Sequence, residues 1–324
     1  MKAIVQDRYG PPAVLELREV DKPSPAADEV LVRVHAASVN ALDWHFMRGH
    51  PYVPRVVMGL RRPRVPIRGR DFAGRVEAVG REVTRLRPGD EVYGEADGTF
   101  AEYVCARADA VDLKPANLTF EQAAAMPLAA NTALLGLRDA GQVRPGQKVL
   151  INGASGGVGT FAVQVAAALG AEVTAVCRAR NADLARSLGA EHVIDYTSED
   201  FTRSGRRYDV VFDGVATRRL TDLRRAVTPT GTLLLAGGGE PGGVLGAMGL
   251  LFKALAVKPF VRQRLVPVMG PAPRRENLAA LRELAEAGKI TPVIERSYPL
   301  DEAPAAIRHM EVEHARAKLV INVA

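Results

Sequence analysis

Cysteine is scarce in this chain of 324 residues and occurs only at Cys105 and Cys177. Two cysteines this far apart exclude the framework of several disulfides that stabilises many small secreted domains. The amino-terminal residues Met-Lys-Ala-Ile-Val-Gln-Asp-Arg are also too charged for a secretion signal. We therefore expect free thiols and a cytoplasmic location.

Long apolar runs are absent as well. The nearest candidate, residues 242–251, falls well short of the ~20 apolar residues that a membrane-spanning helix needs, and Lys253 follows it. We expect this segment to pack over an active site or at a contact between subunits, for example in a homodimer. No membrane partner is expected.

Aromatic residues make up only 5% of the chain, and lysine accounts for only 8 of the 43 basic residues, so arginine carries most of the net charge of +6. The densest basic segment, residues 61–70, contains no aromatic side chain that could stack on a base. We expect a solvated loop there and no nucleic-acid partner. A substrate that bears phosphate, such as an acyl-CoA, is the alternative.

What the chain does contain is an apolar run that ends in glycines, Val-Leu-Ile-Asn-Gly-Ala-Ser-Gly-Gly-Val-Gly at residues 149–159. The pattern predicts a strand, a tight turn and a helix whose first N–H groups bind an anion, typically a dinucleotide pyrophosphate. A turn that binds nothing is one alternative. An α/β-hydrolase nucleophile elbow is another, because Gly-x-Ser-x-Gly also fits. The candidate cofactor contacts are Ala154, Ser155, Gly156, Gly157, Val158 and Gly159.

The strand predicted next, residues 171–177, lacks the carboxylate that usually hydrogen-bonds the ribose of NAD at this place. Arg178 and Arg180 follow it instead. Because a guanidinium binds phosphate through two parallel hydrogen bonds, we predict NADPH rather than NADH. Two solvated arginines are the alternative.

The rest of this region alternates between a helix at residues 183–188 and strands at 192–195, 208–213 and 231–236. Such alternation predicts a doubly wound parallel sheet that binds its ligand beyond the carboxyl ends of the strands. That placement adds Gly237 and Gly238 to the candidate cofactor contacts. By contrast, the first third has short β runs broken by glycine and proline, and a capping box predicts a helix after Thr119.

Taken together, these motifs resemble the medium-chain dehydrogenase/reductase superfamily, specifically its zinc-independent quinone oxidoreductase branch. The resemblance covers nearly the whole chain and removes the hydrolase alternative. It implies an α/β fold with a GroES-like β-rich catalytic domain (residues 1–123 and 273–324) and a Rossmann cofactor domain (124–272). The motifs include Ser38-Val-Asn40-Ala-Leu-Asp43-Trp-His45, Gly69-Arg-Asp71-Phe-Ala-Gly74, Arg87-Pro-Gly-Asp90 and Gly189-Ala-Glu-His-Val-Ile-Asp-Tyr196.

The resemblance also indicates which metal ligands are missing. Asn40 and Arg70 stand where zinc alcohol dehydrogenases have cysteine and histidine. The third ligand cysteine lies shortly before the position of Thr132, where this chain has Met-Pro-Leu-Ala-Ala-Asn. Since a catalytic zinc needs three protein ligands, we expect no metal. Without a Lewis acid, a quinone or an α,β-unsaturated carbonyl is a better hydride acceptor than an alcohol. We therefore predict NADPH-dependent reduction of quinones or enones.

For the catalytic domain the resemblance implies roles position by position. Asn40 and Thr132 flank the nicotinamide and its ribose, and Asp43 either braces that loop or is a buried structural carboxylate. Trp44, His45 and Tyr52 line the substrate pocket. His45 or Tyr52 is the candidate proton donor, with water as the alternative.

For the cofactor domain, the resemblance assigns the 2′-phosphate to Arg178 and Tyr196. Asn181 stands where a lysine is common. Lys318 is a candidate to reach the cofactor, with an exposed strand residue as the alternative.

Two other functions stay open. One is a 2-enoyl thioester reductase of the same fold, for which the basic loop at residues 61–70 and the apolar segment at 243–257 would be suited. The other is a non-catalytic sensor that binds NADPH, because a fold alone does not establish activity.

Overall fold

The computed structural model describes residues 1–50, 55, 59–237, 246–268, 274–313 and 315–323. They form two compact units, Met1–Asn131 with Ala272–Ala324, and Thr132–Pro271. The boundary after Asn131 lies later in the chain than the sequence-based limit at residue 123. It falls within a helix, Pro127–Leu134. The predicted residues Tyr52 and Gly238 lie outside the described part.

The secondary structure follows the chain as a β-rich region, an alternating β/α region and a mixed C-terminal segment. The elements are β1 (Lys2–Val5), β2 (Glu16–Glu19), β3 (Glu29–Val39), α1 (Ala41–Arg48), β4 (Asp71–Val79), β5 (Glu91–Glu95), β6 (Tyr103–Arg107), β7 (Val111–Leu113), α2 (Phe120–Ala124), α3 (Pro127–Leu134), β8 (Lys148–Asn152), α4 (Gly157–Ala168), β9 (Glu172–Cys177), α5 (Ala182–Ser187), β10 (His192–Asp195), β11 (Tyr208–Asp213), α6 (Leu220–Arg225), β12 (Val227–Leu235), α7 (Gly246–Val257), β13 (Arg264–Pro267), α8 (Arg275–Glu286), β14 (Ile294–Pro299), α9 (Ala303–Glu313) and β15 (Lys318–Asn322).

The first unit is built around the long strand β3. In the order β14-β15-β3-β4-β5-β7, β3 pairs antiparallel with β15 and β4, and its beginning also pairs with β6. Alternate valines of β3 pack with Phe72 and Val92 in a buried cluster. The end of β3 therefore lies between the first residues of β4 and the C-terminal strand β15, where the polar residues after Val39 meet those of both neighbours.

The second unit is a six-stranded sheet, in the order β10-β9-β8-β11-β12-β13, and every pair is parallel. The chain runs outward from β8 to one side and then continues from β11 to the other. The switch point between β8 and β11 is where such sheets bind ligands. The predicted doubly wound parallel sheet is confirmed. Its last predicted strand begins earlier than expected, at Val227 rather than residue 231.

The predicted capping box is also confirmed at the start of α2. The Thr119 side chain accepts a hydrogen bond from the Gln122 N–H at 3.2 Å, and Gln122 Oε1 accepts one from the Thr119 N–H at 3.1 Å. In the described part of the chain, no helix combines the length and the apolar character that crossing a bilayer requires.

Candidate functional sites in the two units

Asp71, the first residue of β4, is the centre of a buried polar network in the first unit. Its side chain is fully buried and lies opposite Ser38 of β3. Asp71 Oδ2 accepts hydrogen bonds from Ser38 Oγ and Asn40 Nδ2, both at 2.9 Å, and Oδ1 accepts one from the Leu128 N–H at 3.1 Å. A buried carboxylate needs such donors, because it has lost its hydration.

Lys318 completes this network from the C-terminal strand. Its Nζ donates to Asn40 Oδ1 at 2.6 Å and to the Val39 carbonyl at 3.2 Å, and it lies 3.6 Å from Asp71 Oδ2. The side chain is 2% exposed, so the alternative of an exposed strand residue is wrong. Burial lowers the pKa of Lys318, and the charges of Asp71 and Asp43 oppose that shift. Lys318 and Asp71 together fix the orientation of the Asn40 amide, because its oxygen accepts from Lys318 and its nitrogen donates to Asp71.

Asp43 holds the start of α1. Its Oδ2 accepts the Asn40 N–H at 2.8 Å, which satisfies one of the free donors at the helix N-terminus. The carboxyl is buried, and burial raises the pKa of Asp43 to about 7. The loop therefore depends on a carboxyl that changes its protonation near neutral pH.

Glu95, at the end of β5, lies directly opposite Asp71 of β4. Opposite residues of an antiparallel pair share a face, so two buried carboxyls are held close together. Among the described residues, neither Glu95 oxygen has a hydrogen-bond partner, and the cation paired with it, Arg70 Nη2, is 3.9 Å away. Burial, with the charge of Asp71, raises the pKa of Glu95 to about 8. The sequence does not single out Glu95, because nearly all of β5 is buried and its residues show no alternation of apolar and polar types.

His45 lies on α1, and its ring packs edge-on against Trp44 at 4.7 Å between centroids. Its Nδ1 is 3.0 Å from the His50 carbonyl oxygen. Because a carbonyl only accepts, Nδ1 carries the proton, and burial lowers the pKa of His45. In the neutral ring, Nε2 is then an acceptor. Within the described ranges no three His, Cys, Asp or Glu side chains are grouped as metal ligands.

The basic segment at residues 61–70 is not uniformly solvated. Arg61, Arg62 and Arg64 are exposed, but Arg68 is buried and Arg70 pairs with Asp97 at 2.7 Å. The expectation of a solvated loop is therefore wrong for Arg68. The residues around it explain the burial, because its backbone N–H and carbonyl bond to Ile4 and Phe100 of the core.

In the second unit, the glycine loop joins β8 to α4 as predicted. Gly153 has a φ of +84°, and its carbonyl accepts the Gly156 N–H at 3.0 Å. A Cβ at Gly159 would lie 2.0 Å from that same carbonyl oxygen. Ala154, Ser155 and Val158 belong to this turn and the first turn of α4, whose N–H groups have no partner within the helix. Free N–H groups at the start of a helix suit an anion such as a phosphate group.

Asp213 ties the loop to the neighbouring strand ends. Its Oδ1 accepts Asn152 Nδ2 at 2.8 Å, and its backbone carbonyl accepts the N–H groups of Ala236 and Gly237. Asp213 Oδ2 is buried and has no partner in the part of the chain that the structure describes. An unpaired acceptor beside a glycine turn fits a ligand that carries hydroxyl donors, as a dinucleotide does.

The two residues predicted to bind the 2′-phosphate lie together. Arg178 follows β9 and Tyr196 follows β10, and Arg178 Nε donates to Tyr196 Oη at 2.7 Å. The one carboxylate at these strand ends, Asp195, accepts from the N–H and hydroxyl of Thr197. Arg180 is exposed, Asn181 is buried, and Thr132 is buried in α3.

Two family models match the chain. The alcohol dehydrogenase GroES-like domain matches residues 26–116, and the zinc-binding dehydrogenase family matches residues 188–321. Together with the parallel sheet, the first match confirms the predicted pairing of a GroES-like domain with a Rossmann domain.

Curated relatives and solved structures extend the similarity over the whole chain. A mitochondrial NAD(P)H oxidoreductase of Mus musculus is 35% identical over 100% of this chain and 89% of its own length. The 2-methylene-furan-3-one reductase of Solanum lycopersicum is 33% identical over 99% of this chain and 79% of its own. The quinone oxidoreductase of Escherichia coli complexed with NADPH has a TM-score of 0.82 and 26% identity, with 100% of both chains covered.

The glycine turn provides the first prediction. Gly159→Ala should lower the unfolding temperature and weaken binding of the nicotinamide cofactor, because overpacking of this kind costs about 1–3 kcal/mol. Gly156→Ala is the matched control for folding, since its Cβ would lie 3.4 Å from the Gly153 oxygen at an ordinary φ of −84°. Thermal unfolding and fluorescence titration test both variants. A Gly159→Ala protein as stable as the control would contradict the described turn.

The second prediction concerns Glu95→Gln. The pKa of Glu95 is raised in the folded protein from 4.5 to about 8, so its contribution to stability is present below pH 4.5 and lost as the pH rises to about 8. Glutamine does not titrate. Urea unfolding should therefore show the free energy of the variant improving relative to wild type between about pH 5 and pH 8.5. A difference that stays constant with pH would mean that Glu95 titrates as an exposed carboxyl.

Proposed function

The chain belongs to the medium-chain dehydrogenase/reductase superfamily, in its quinone oxidoreductase-like branch, and from this we propose that it reduces quinones or α,β-unsaturated carbonyls with NADPH. It is an oxidoreductase with a nicotinamide cofactor. The observation that carries the finer proposal is the pairing of Arg178 with Tyr196 at the strand ends next to the glycine turn. That pair supplies donors for a phosphate on the adenosine ribose.

The preference for NADPH is supported by the charges at these strand ends. The Arg178 guanidinium keeps its terminal nitrogens for a ligand while Nε donates to Tyr196. The negative charge of Asp195 opposes phosphate binding. Hydrogen bonds from Thr197 lower the pKa of that carboxyl, and the nearby Arg178 guanidinium, which also lowers it, offsets part of its charge. A guanidinium held in place by a neighbouring side chain loses less entropy when it binds phosphate.

The acceptor class is supported by the names of the relatives and by the network around Asn40. A 2-methylene-furan-3-one is a conjugated ketone, and the E. coli relative is named for quinones. In this chain a buried ammonium donates to Asn40, the residue where zinc alcohol dehydrogenases have a cysteine ligand. Since a positive charge there disfavours a divalent cation, we propose chemistry without a metal.

When bound, the nicotinamide supplies the hydride. Asn40, held by Lys318 and Asp71, is proposed to orient the nicotinamide and its ribose, as the resemblance implies. His45 presents Nε2 as an acceptor, so we propose that the proton for the reduced acceptor comes from water rather than from His45.

A second candidate function is favoured by a cavity in the first unit. It has a volume of about 540 Å³ and is lined by Arg61, Arg62 and Arg64, beside Gln6 and Asp7. Exposed arginines beside a cavity suit the phosphates of a CoA thioester. A 2-enoyl thioester reductase is therefore the runner-up.

A turnover assay tests the proposed function. The purified protein is mixed with NADPH or NADH, then with 9,10-phenanthrenequinone, 3-penten-2-one or crotonyl-CoA, with a chelator present throughout. We expect loss of cofactor absorbance with NADPH and one of the first two acceptors. A clear preference for crotonyl-CoA would favour the thioester reductase, and cofactor binding without turnover would favour a sensor. Activity abolished by the chelator would overturn the metal-free proposal.

Arg178→Met should raise the KM for NADPH by about 10- to 100-fold, because a hydrogen bond to a charged group contributes about 1.5–3 kcal/mol. The KM for NADH should change by less than about twofold, since NADH has no phosphate at this position. Arg186→Met, on the exposed side of α5, is the control. An equal loss for both cofactors would mean that Arg178 does not bind the 2′-phosphate.

A further inference from the structure

Arg68 is a buried cation that has no partner among the described residues. Its exposed fraction is 6%, and no described residue forms a hydrogen bond or ion pair with its guanidinium. The Nε atom is fully enclosed and unpaired, whereas the two terminal nitrogens are not enclosed. The accessible part of this side chain is therefore its hydrogen-bonding end.

Other arginines of the same unit that are only partly exposed do not share this property. Arg85 donates to Asp112 at 3.2 Å and to two backbone carbonyls at 2.6 and 2.8 Å. Burying a charge without such partners is costly. A ligand that supplies the missing acceptor would recover part of that cost.

The backbone holds Arg68 in a fixed position. Its N–H donates to the Ile4 carbonyl at 3.1 Å, and its carbonyl accepts the Phe100 N–H at 2.8 Å. The next residue, Gly69, has a φ of +96°, and a Cβ there would lie 2.4 Å from Thr99 Oγ1. The guanidinium is thus presented by a rigid turn, so little entropy is lost when a ligand binds.

The carboxyls whose charges act on Arg68 do not neutralise it. They are Asp43 and Asp97, and neither forms an ion pair with it. Asp43 uses Oδ2 to cap α1, and Asp97 pairs with Arg70 at 2.7 Å. Ile4 and Phe100, to which the Arg68 backbone bonds, pack in one buried cluster with Trp44 and Met47 of α1, so Arg68 lies beside that helix.

We propose that Arg68 is a specificity-determining residue that binds an anionic oxygen of the acceptor. The inference rests on the proposed function. The anionic oxygen has two possible sources: a carboxylate carried by the acceptor, or the carbonyl oxygen once hydride arrives. In the second case a C–H bond of the reduced nicotinamide would break as a C–H bond forms at the β-carbon, the C=C π electrons would move onto the carbonyl oxygen, and water would later protonate the enolate. The acceptor gains two electrons, and the cofactor loses them.

Two acceptors of similar size separate these sources, neutral 3-penten-2-one and anionic trans-4-oxo-2-pentenoate. Arg68→Met removes the charge at similar length, Arg68→Lys keeps it, and Arg81→Met, 86% exposed, is the control. We expect Arg68→Met to lower kcat/KM by about 10- to 100-fold and Arg68→Lys to recover part of it. A loss confined to the anionic acceptor, mainly in KM, indicates the carboxylate. A loss of kcat with both indicates the oxyanion.

Thermal unfolding supplies a readout that does not need turnover. Arg68→Met should unfold at the same or a higher temperature than wild type, because an unpaired buried charge has been removed. If the site takes carboxylates, the unreactive 4-oxopentanoate should stabilise wild type and not Arg68→Met. The test with 4-oxopentanoate is informative even if the protein reduces no acceptor. Absence of turnover would count against the proposed function but not against binding at Arg68. The proposal would be overturned if Arg68→Met unfolds at a lower temperature than wild type. It would also be overturned if Arg68→Met has the same kcat/KM as Arg81→Met with both acceptors and 4-oxopentanoate does not stabilise wild type.

Discussion

The first unit depends on how one fully buried carboxylate, Asp71, is compensated. Strand pairing places it opposite Ser38 on one side and opposite Glu95 on the other. Hydrogen bonds from Ser38 and Asn40 and the ammonium of Lys318 offset its charge. Because each of these partners is itself enclosed, the network has few alternative arrangements. The orientation of the Asn40 amide is therefore a consequence of the charge on Asp71.

The second unit depends on a different constraint, the fixed conformation of the glycine turn between β8 and α4. Gly159 lies so close to the Gly153 carbonyl that no side chain fits, and Asp213 connects three strand ends. Such a turn offers backbone N–H groups without a positively charged side chain. Under the proposed function, charge recognition falls to Arg178, one strand away, so separate residues would bind the pyrophosphate and select the cofactor.

Local patterns were readable from the sequence, and long-range pairings were not. The glycine turn, the parallel strands and the Thr119 cap each depend on a few consecutive residues, and all three were predicted. Lys318 could not be placed, because its burial comes from pairing between β15 and β3, strands almost at opposite ends of the chain. Glu95 could not be predicted as a site residue, because its strand is buried on both faces and shows no alternating pattern. Arg68 was hidden among exposed arginines, since only the tertiary contacts of its backbone distinguish it.

The pairing of β15 with β3 has a consequence for the order in which the protein can mature. Asp71 leaves the ribosome early in synthesis, but the ammonium that offsets its charge belongs to Lys318, near the end of the chain. Before Lys318 is synthesised, a chain that formed the rest of this sheet would bury Asp71 without a nearby cation, which is unfavourable. The second unit lies wholly between the two parts and can fold while the first one waits. The strand order thus favours completing the parallel sheet of the second unit before the sheet of the first unit, although most of the latter is encoded first.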